Sequence, residues 1–301
     1  MTRIRSNATA SVVWILAVLV LVLAPSQTEA KVRAFTSISP QAYFVREIGG
    51  ELVEVDVLVP SGQSPATYEP TPQQMTRLAD ADLLFTTGVP FEKRLLQKLS
   101  NGYDDVKVVE THAGIKLRPI ERHDHGEHEH EGMLDPHVWL DPGLAKLQAE
   151  NICRALIEAD ETHAQTFESN LSHLQDAIDS AAAAVERILQ PVKGGNLFVF
   201  HPAYGYFCDA YGLHQVAIET DGKQPSARQL AALVDQAERD RVEVVFVQPQ
   251  FSRRQAESIG QAIGARIETL DPLSGDYMNN LLDMAGKIAR ALTFSGEVGG
   301  E

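Results

Sequence analysis

An α/β fold with two similar lobes, each a parallel sheet flanked by helices, is predicted by three features of the 301-residue sequence. Short β-branched runs alternate with helical patterns in both halves of the chain, and strand, helix, strand at that spacing builds parallel sheets. Between the halves, Asp160 to Leu189 contains neither Gly nor Pro and is rich in Ala, Glu, Leu and Gln, the composition of one long rigid helix. The halves also echo each other: Gly62, Pro65 and Phe91 recur as Gly222, Pro225 and Phe251, and Leu83-Leu84-Phe85 is answered by Val244-Val245-Phe246.

The elements follow in order. Residues 1–30 read as a signal peptide: Arg3 and Arg5 precede the unbroken apolar run Val12 to Ala24, and Thr28-Glu29-Ala30 ends on a small residue suited to cleavage. That run is too short for a membrane span, which takes ~20 residues, and no Cys near Ala30 offers a lipid attachment point. An N-terminal lobe is expected over 31–142, with strands at Val32 to Ser37, Val53 to Val59, Leu83 to Thr86 and Val106 to Val109. Helices fall near Gln41 to Ile48, Gln73 to Ala81 and Phe91 to Ser100. A helical connector spans 143–192, and its long linking helix of about thirty residues would reach about 45 Å. The C-terminal lobe, 193–301, has strands at Leu197 to Phe200, Gln215 to Ile218, Val242 to Val247 and Arg266 to Leu270, and a last helix from Tyr277 to Leu292.

Composition narrows the function. With 26 Lys and Arg against 41 Asp and Glu, the chain carries a net charge of −15 and no basic cluster, so nucleic acid is not an expected partner. Export places the chain in an oxidising, periplasmic space, where two cysteines could pair. Cys153 lies in a helical pattern and Cys208 follows a strand of the other lobe, so two buried thiols are the expectation.

Parallel sheets collect ligands at the carboxyl ends of their strands, and two lobes bring those edges to one cleft. His201 directly follows one strand, Glu219 the next and Asp271 the last, while His137 sits in D-P-H-V-W-L-D-P (Asp135 to Pro142) at the lobe boundary. Imidazole and carboxylate donors converging on a cleft suit zinc, and manganese or iron where oxygen is more abundant. Just upstream, Arg122 to Gly132 carries His123, His125, His128 and His130 interleaved with acids, a segment that cannot fold alone but can chelate loosely. His112, His163, His173 and His214 fall outside these patterns and read as structural or surface residues.

These elements, together with Y-E-P-T-P (Tyr68 to Pro72) and L-D-P around Asp271, resemble the metal-binding solute-binding proteins of bacterial zinc and manganese ABC importers, over nearly the whole mature chain. The resemblance implies two lobes joined by one long helix, with the metal held in the cleft between lobes and delivered to a membrane permease by a monomer. It implies three His and one Asp as zinc ligands, the manganese type having Glu where His201 stands. His137, His201 and Asp271 match three of the four. At the first position the family's D-P-H-x-Y-E-P is here S-P-A-T-Y-E-P (Ser64 to Pro70), so Ala66 replaces the His. Three protein ligands plus water is a workable zinc sphere, and a loop His, Glu69 or Glu219 is a further candidate donor. The expected role is thus a receptor and not an enzyme, with Zn2+ as ligand and Mn2+ or iron as the alternative. The contrasting class is a zinc hydrolase using an open position on His137, His201 and Asp271; no H-E-x-x-H, Walker loop or glycine fingerprint supports it.

Overall fold

Among the described residues, eight strands form two separate four-stranded sheets, all parallel, with the same strand order in each. The computed structural model describes residues 31–100, 102, 105–120, 134–219 and 225–297. The segment read above as a signal peptide and the His-rich segment lie outside the described residues. In the first sheet, β1 (Val32–Thr36), β2 (Val53–Val57), β3 (Leu83–Thr86) and β4 (Lys107–Glu110) are ordered β2-β1-β3-β4. In the second, β5 (Asn196–Val199), β6 (His214–Ala217), β7 (Val244–Val247) and β8 (Arg266–Thr269) are ordered β6-β5-β7-β8. The sequence echo is thereby explained, since Leu83-Leu84-Phe85 and Val244-Val245-Phe246 occupy the same inner strand of their sheets. Both runs are wholly buried, as strands covered on two faces must be.

The connections are helical. α1 (Ser39–Gly49), α2 (Pro72–Ala79) and α3 (Phe91–Leu99) serve the first sheet; α6 (Gly205–Tyr211), α7 (Ala227–Arg239) and α8 (Arg253–Ile263) serve the second. Polar side chains start several of them. Thr71 with Gln74 and Ser226 with Gln229 form capping boxes on α2 and α7, each satisfying amides that the first helical turn leaves bare.

Between the sheets run α4 (Pro142–Ala159) and the 26-residue α5 (Ala164–Leu189), and α9 (Tyr277–Glu297) closes the chain. The linking helix starts later than its composition predicts, because Glu161–His163 forms a 3₁₀ turn and His163 turns back on Asp160, Nδ1 to Oδ2 2.6 Å. Phe167, Leu174, Ile178, Ala181, Val185 and Leu189 fall three, four or seven apart along α5 and make one buried stripe. It packs against α1, α4 and α9, so a single apolar core runs from the first sheet through the linker into the second. From Val32 onward the chain is one compact unit. The outer face of the second sheet has its own smaller core under α7 and α8. Cys153 in α4 and Cys208 in α6 are both buried thiols, in line with the sequence expectation, and burial pushes Cys153 up to about 11. None of the described helices is long and apolar enough to cross a membrane.

Candidate metal site

The strand order reverses between β1 and β3 in one sheet and between β5 and β7 in the other, and such switch points open a crevice at the carboxyl edge. A cavity of about 270 Å³ lies there, walled by both halves of the chain. Ser64, Pro65, Ala66, Val89 and Pro90 come from the first half, His201, Glu219, Gln248, Gln250 and Phe251 from the second, and Pro136, His137 and Trp139 from the D-P-H-V-W-L-D-P segment between them.

That segment is a compact device. Asp135 Oδ1 accepts the backbone N–H of His137 at 3.0 Å and meets its Nδ1 at 2.6 Å, so the turn at Pro136 fixes the ring. Val138–Leu140 form a buried 3₁₀ turn. Trp139 Nε1–H donates to the Pro272 carbonyl at 2.7 Å, tying this turn to the residue after Asp271. Asp141 then caps α4 through the amides of Gly143 and Leu144, with Pro142 in the first helical position.

Strand register assembles the other side. β5 pairs Val199 with Ala217 of β6 and with Phe246 of β7. Two residues past each of these come His201, Glu219 and Gln248, side by side at the sheet edge. Gln248 Nε2 donates to the His201 carbonyl at 2.8 Å and its Oε1 accepts the His201 amide at 3.3 Å, clamping the backbone of the ligand candidate. His201 Nδ1 is hydrogen-bonded to Glu219 Oε1. A carboxylate only accepts, so in the neutral form of either ring the proton sits on Nδ1 and Nε2 keeps its lone pair. Burial holds His201 below the usual imidazole range, opposed by its bond to Glu219 and reinforced by His137. The two rings stand 5.5 Å apart between centroids at 75°, and Phe251 covers His201 at 5.2 Å.

Metal-binding histidines are typically oriented by a carboxylate on the far nitrogen, and here Asp135 and Glu219 hold both. Glu219 Oε2 is buried with no hydrogen-bond partner among the described residues, a polar atom whose cost a nearby cation would offset. Imidazoles so held are donors of the kind a borderline-soft divalent ion takes.

Asp271 stands at the end of β8, its Oδ1 accepting Gln250 Nε2 at 3.1 Å and the Leu273 amide at 3.0 Å. Glu219, a candidate donor from sequence, stands behind His201 as its acceptor. Glu69 is exposed and faces Arg94 at 3.9 Å. Among the described residues no three His, Cys, Asp or Glu side chains are gathered closely enough to hold an ion. The structure thus brings His137 and His201 together and leaves Asp271 engaged with its own neighbours. Pro119 and Leu134 form an antiparallel bridge at the base of the His-rich segment, and Ile120 lines the cavity beside it.

The first-half wall is set by Glu92, which accepts the amides of Thr87 at 3.0 Å and Gly88 at 2.7 Å and so holds the loop that carries Val89 and Pro90. Gly88 needs φ +89°, unfavourable for any side chain. Burial pushes the Glu92 carboxyl up to about 7, against the bonds it accepts. An acid raised in the folded state makes folding most favourable while protonated, so stability declines as pH rises from the ordinary carboxylate range toward 7. We expect thermal unfolding to show this loss between pH 5 and pH 8, up to about 3 kcal/mol, and Glu92→Gln to flatten it. An equal pH slope in the variant would assign the loss elsewhere.

Two carboxylate-backed imidazoles thus line a crevice between two parallel sheets, in a chain of two lobes with a helical link. The chain belongs to the family of the periplasmic component A of the zinc-uptake complex, ZnuA, matching it over residues 35–293. It is 31% identical over 263 residues to the high-affinity zinc uptake system protein ZnuA of Bacillus subtilis, covering 81% of this chain and 79% of that protein. To the zinc-binding lipoprotein AdcA of Streptococcus pneumoniae it is 29% identical over 260 residues, 82% of this chain, and it spans about half (51%) of that relative's length. A crystal structure of ZnuA superposes with a TM-score of 0.80 at 38% identity, covering 87% of this chain and 99% of the other.

Proposed function

We propose that this chain is the extracytoplasmic zinc receptor of an ABC importer: it takes up Zn2+ between His137 and His201, draws Asp271 onto the ion, and hands it to a membrane permease. One observation carries the reading, namely that each imidazole is held through Nδ1 by a buried carboxylate and that both rings line one cavity. Membership in the ZnuA family and the zinc-named relatives support it. Two nitrogen donors favour zinc over manganese, which prefers oxygen. The role is binding and release without chemistry, since Asp135 and Glu219 are each engaged in orienting an imidazole. Ester hydrolysis by the zinc-loaded protein is expected to stay at the buffer rate.

Export with cleavage near Ala30 and a monomeric receptor complete the proposal. The His123, His125, His128 and His130 segment serves as a weak collecting site, because alternating imidazoles and carboxylates concentrate cations without a fixed geometry. Mass-spectrometric metal content of natively purified protein tests the whole: one zinc per chain is expected, and bound manganese or iron in its place would overturn the metal. In a calorimetric titration, deleting residues 122–132 should remove the weak zinc equivalents and spare the tight one. Loss of the tight site would make the segment a ligand donor instead.

A further inference from the structure

The residues that follow His201, in H-P-A-Y-G-Y-F (His201 to Phe207), reach back to the segment that carries His137. Arg118 and Asp135 face each other next to the antiparallel bridge of Pro119 with Leu134, at the register position where two antiparallel residues exchange both of their backbone bonds. One of the two bonds is direct, the Asp135 amide donating to the Arg118 carbonyl at 2.8 Å. The other is relayed. The Arg118 amide donates to the Tyr206 hydroxyl at 3.0 Å, and that hydroxyl donates to the Asp135 carbonyl at 3.1 Å. A side chain from the first turn of α6 thus stands inside the pairing as a spacer. Tyr206 and Asp135 are both buried, so bulk water does not compete for these bonds. The same place is held from two more sides. The Arg118 guanidinium lies over the Tyr206 ring at 5.8 Å and pairs with Asp209, one turn along α6, at 2.6 Å. A side chain on Gly205 would begin 2.9 Å from Arg118 Nη1 and 3.2 Å from Asp135 Oδ2, so guanidinium and carboxylate both rest on bare backbone.

We propose that Tyr206 is a positioning residue of the metal site: its hydroxyl sets where Asp135 stands, Asp135 sets the ring of His137, and that ring is thereby registered to His201, which precedes Tyr206 on the same short segment. The inference rests on the zinc-receptor reading and adds the residue that ties one ligand candidate to the other. Without the hydroxyl, the Arg118 amide can close directly onto the Asp135 carbonyl at the usual ~2.9 Å. The pairing then survives while Asp135 moves, and the ring it orients moves with it.

The test uses the full chain with isotope-labelled histidine and compares the ring nitrogens of the parent and Tyr206→Phe by NMR, free of zinc and at a pH where both rings are neutral. We expect the His137 ring, a single Nδ1–H tautomer in the parent, to become a mixture of tautomers in the variant. His201 should stay as it is, because Glu219 still holds it. Zinc affinity, measured against a chromophoric competitor, should fall by about tenfold, the lower end for residues that act behind the ligands. Asn170→Ala controls for stability alone: it removes a bond to the Ile48 carbonyl, where α1 ends at the amino edge of the first sheet, and should lower the melting temperature while sparing the His137 ring and zinc affinity. Gly205→Ala keeps the hydroxyl and crowds Asp135 from another side, so it should reproduce both changes in weaker form, and it decides the matter if Tyr206→Phe does not fold. An unaltered His137 ring in these variants, or a loss of zinc affinity no greater than in Asn170→Ala, would overturn the positioning role and leave the zinc receptor standing. A parent that binds no zinc would remove both readings.

Discussion

If the proposed site is right, His201→Ala is expected to weaken tight zinc binding by ~10²-fold or more, and Asp271→Ala to do the same, beyond the 10–100-fold expected for residues that act behind the ligands. Either change leaves two protein donors, and zinc held by two donors exchanges readily with solvent. His201 follows β5 and Asp271 follows β8, outside the hydrogen-bonded registers, so the sheet does not depend on either side chain. The apo proteins should melt near the parent, while the zinc-induced rise in melting temperature disappears, since a ligand stabilises only in proportion to its affinity for the folded state. Competition with a chromophoric chelator measures the affinity directly. If both variants keep parental affinity, the assigned site is wrong.

Glu219→Gln is expected to have the second-largest effect. The carboxamide can still meet His201 Nδ1 but no longer carries the charge that makes the imidazole a stronger donor, and zinc affinity should fall by about 10–100-fold. Asp135→Asn acts alike on His137 and additionally weakens the turn, because the same oxygen accepts the His137 amide. The two changes touch different ligands of one ion, so the double variant tests coupling: a loss smaller than the product of the single losses would show that the site has already come apart at one histidine. An unchanged affinity in Glu219→Gln would mean that its bond to His201 is structural only.

Much of this was legible in the sequence, for identifiable reasons. The inner strands β3 and β7 stand out because burial on both faces demands continuous apolar runs, and the linking helix because thirty residues without Gly or Pro have few alternatives. Its true start at Ala164 was not legible, since it depends on His163 folding back onto Asp160. His201, Glu219 and Asp271 could be found as polar residues directly after strands. What Glu219 does could not, because its bond to a residue 18 positions away exists only through the β5–β6 register. Asp135 was within reach, two residues before His137 in the same motif, but its role appears only with the turn at Pro136. Gln248 and Gln250 carry no signal of their own; their amides matter through the reversal of strand order between β5 and β7.

The division of the apolar interior into one continuous core and one smaller core has a kinetic meaning. The smaller cluster, built from residues such as Phe198, Val245, Leu233 and Ile259, holds α7 and α8 on the outer face of the second sheet, apart from the core threaded by α5. Local openings draw on the least buried cooperative unit first, so this outer layer is expected to exchange its amide hydrogens before the linking helix does. Phe200 belongs to that layer and immediately precedes His201; Ile218 belongs to it and immediately precedes Glu219. A breath of the outer layer therefore reaches one imidazole and its carboxylate without disturbing His137, which is anchored to the main core through Trp139. Opening of these two surface helices is thus expected to loosen His201 and Glu219 before His137.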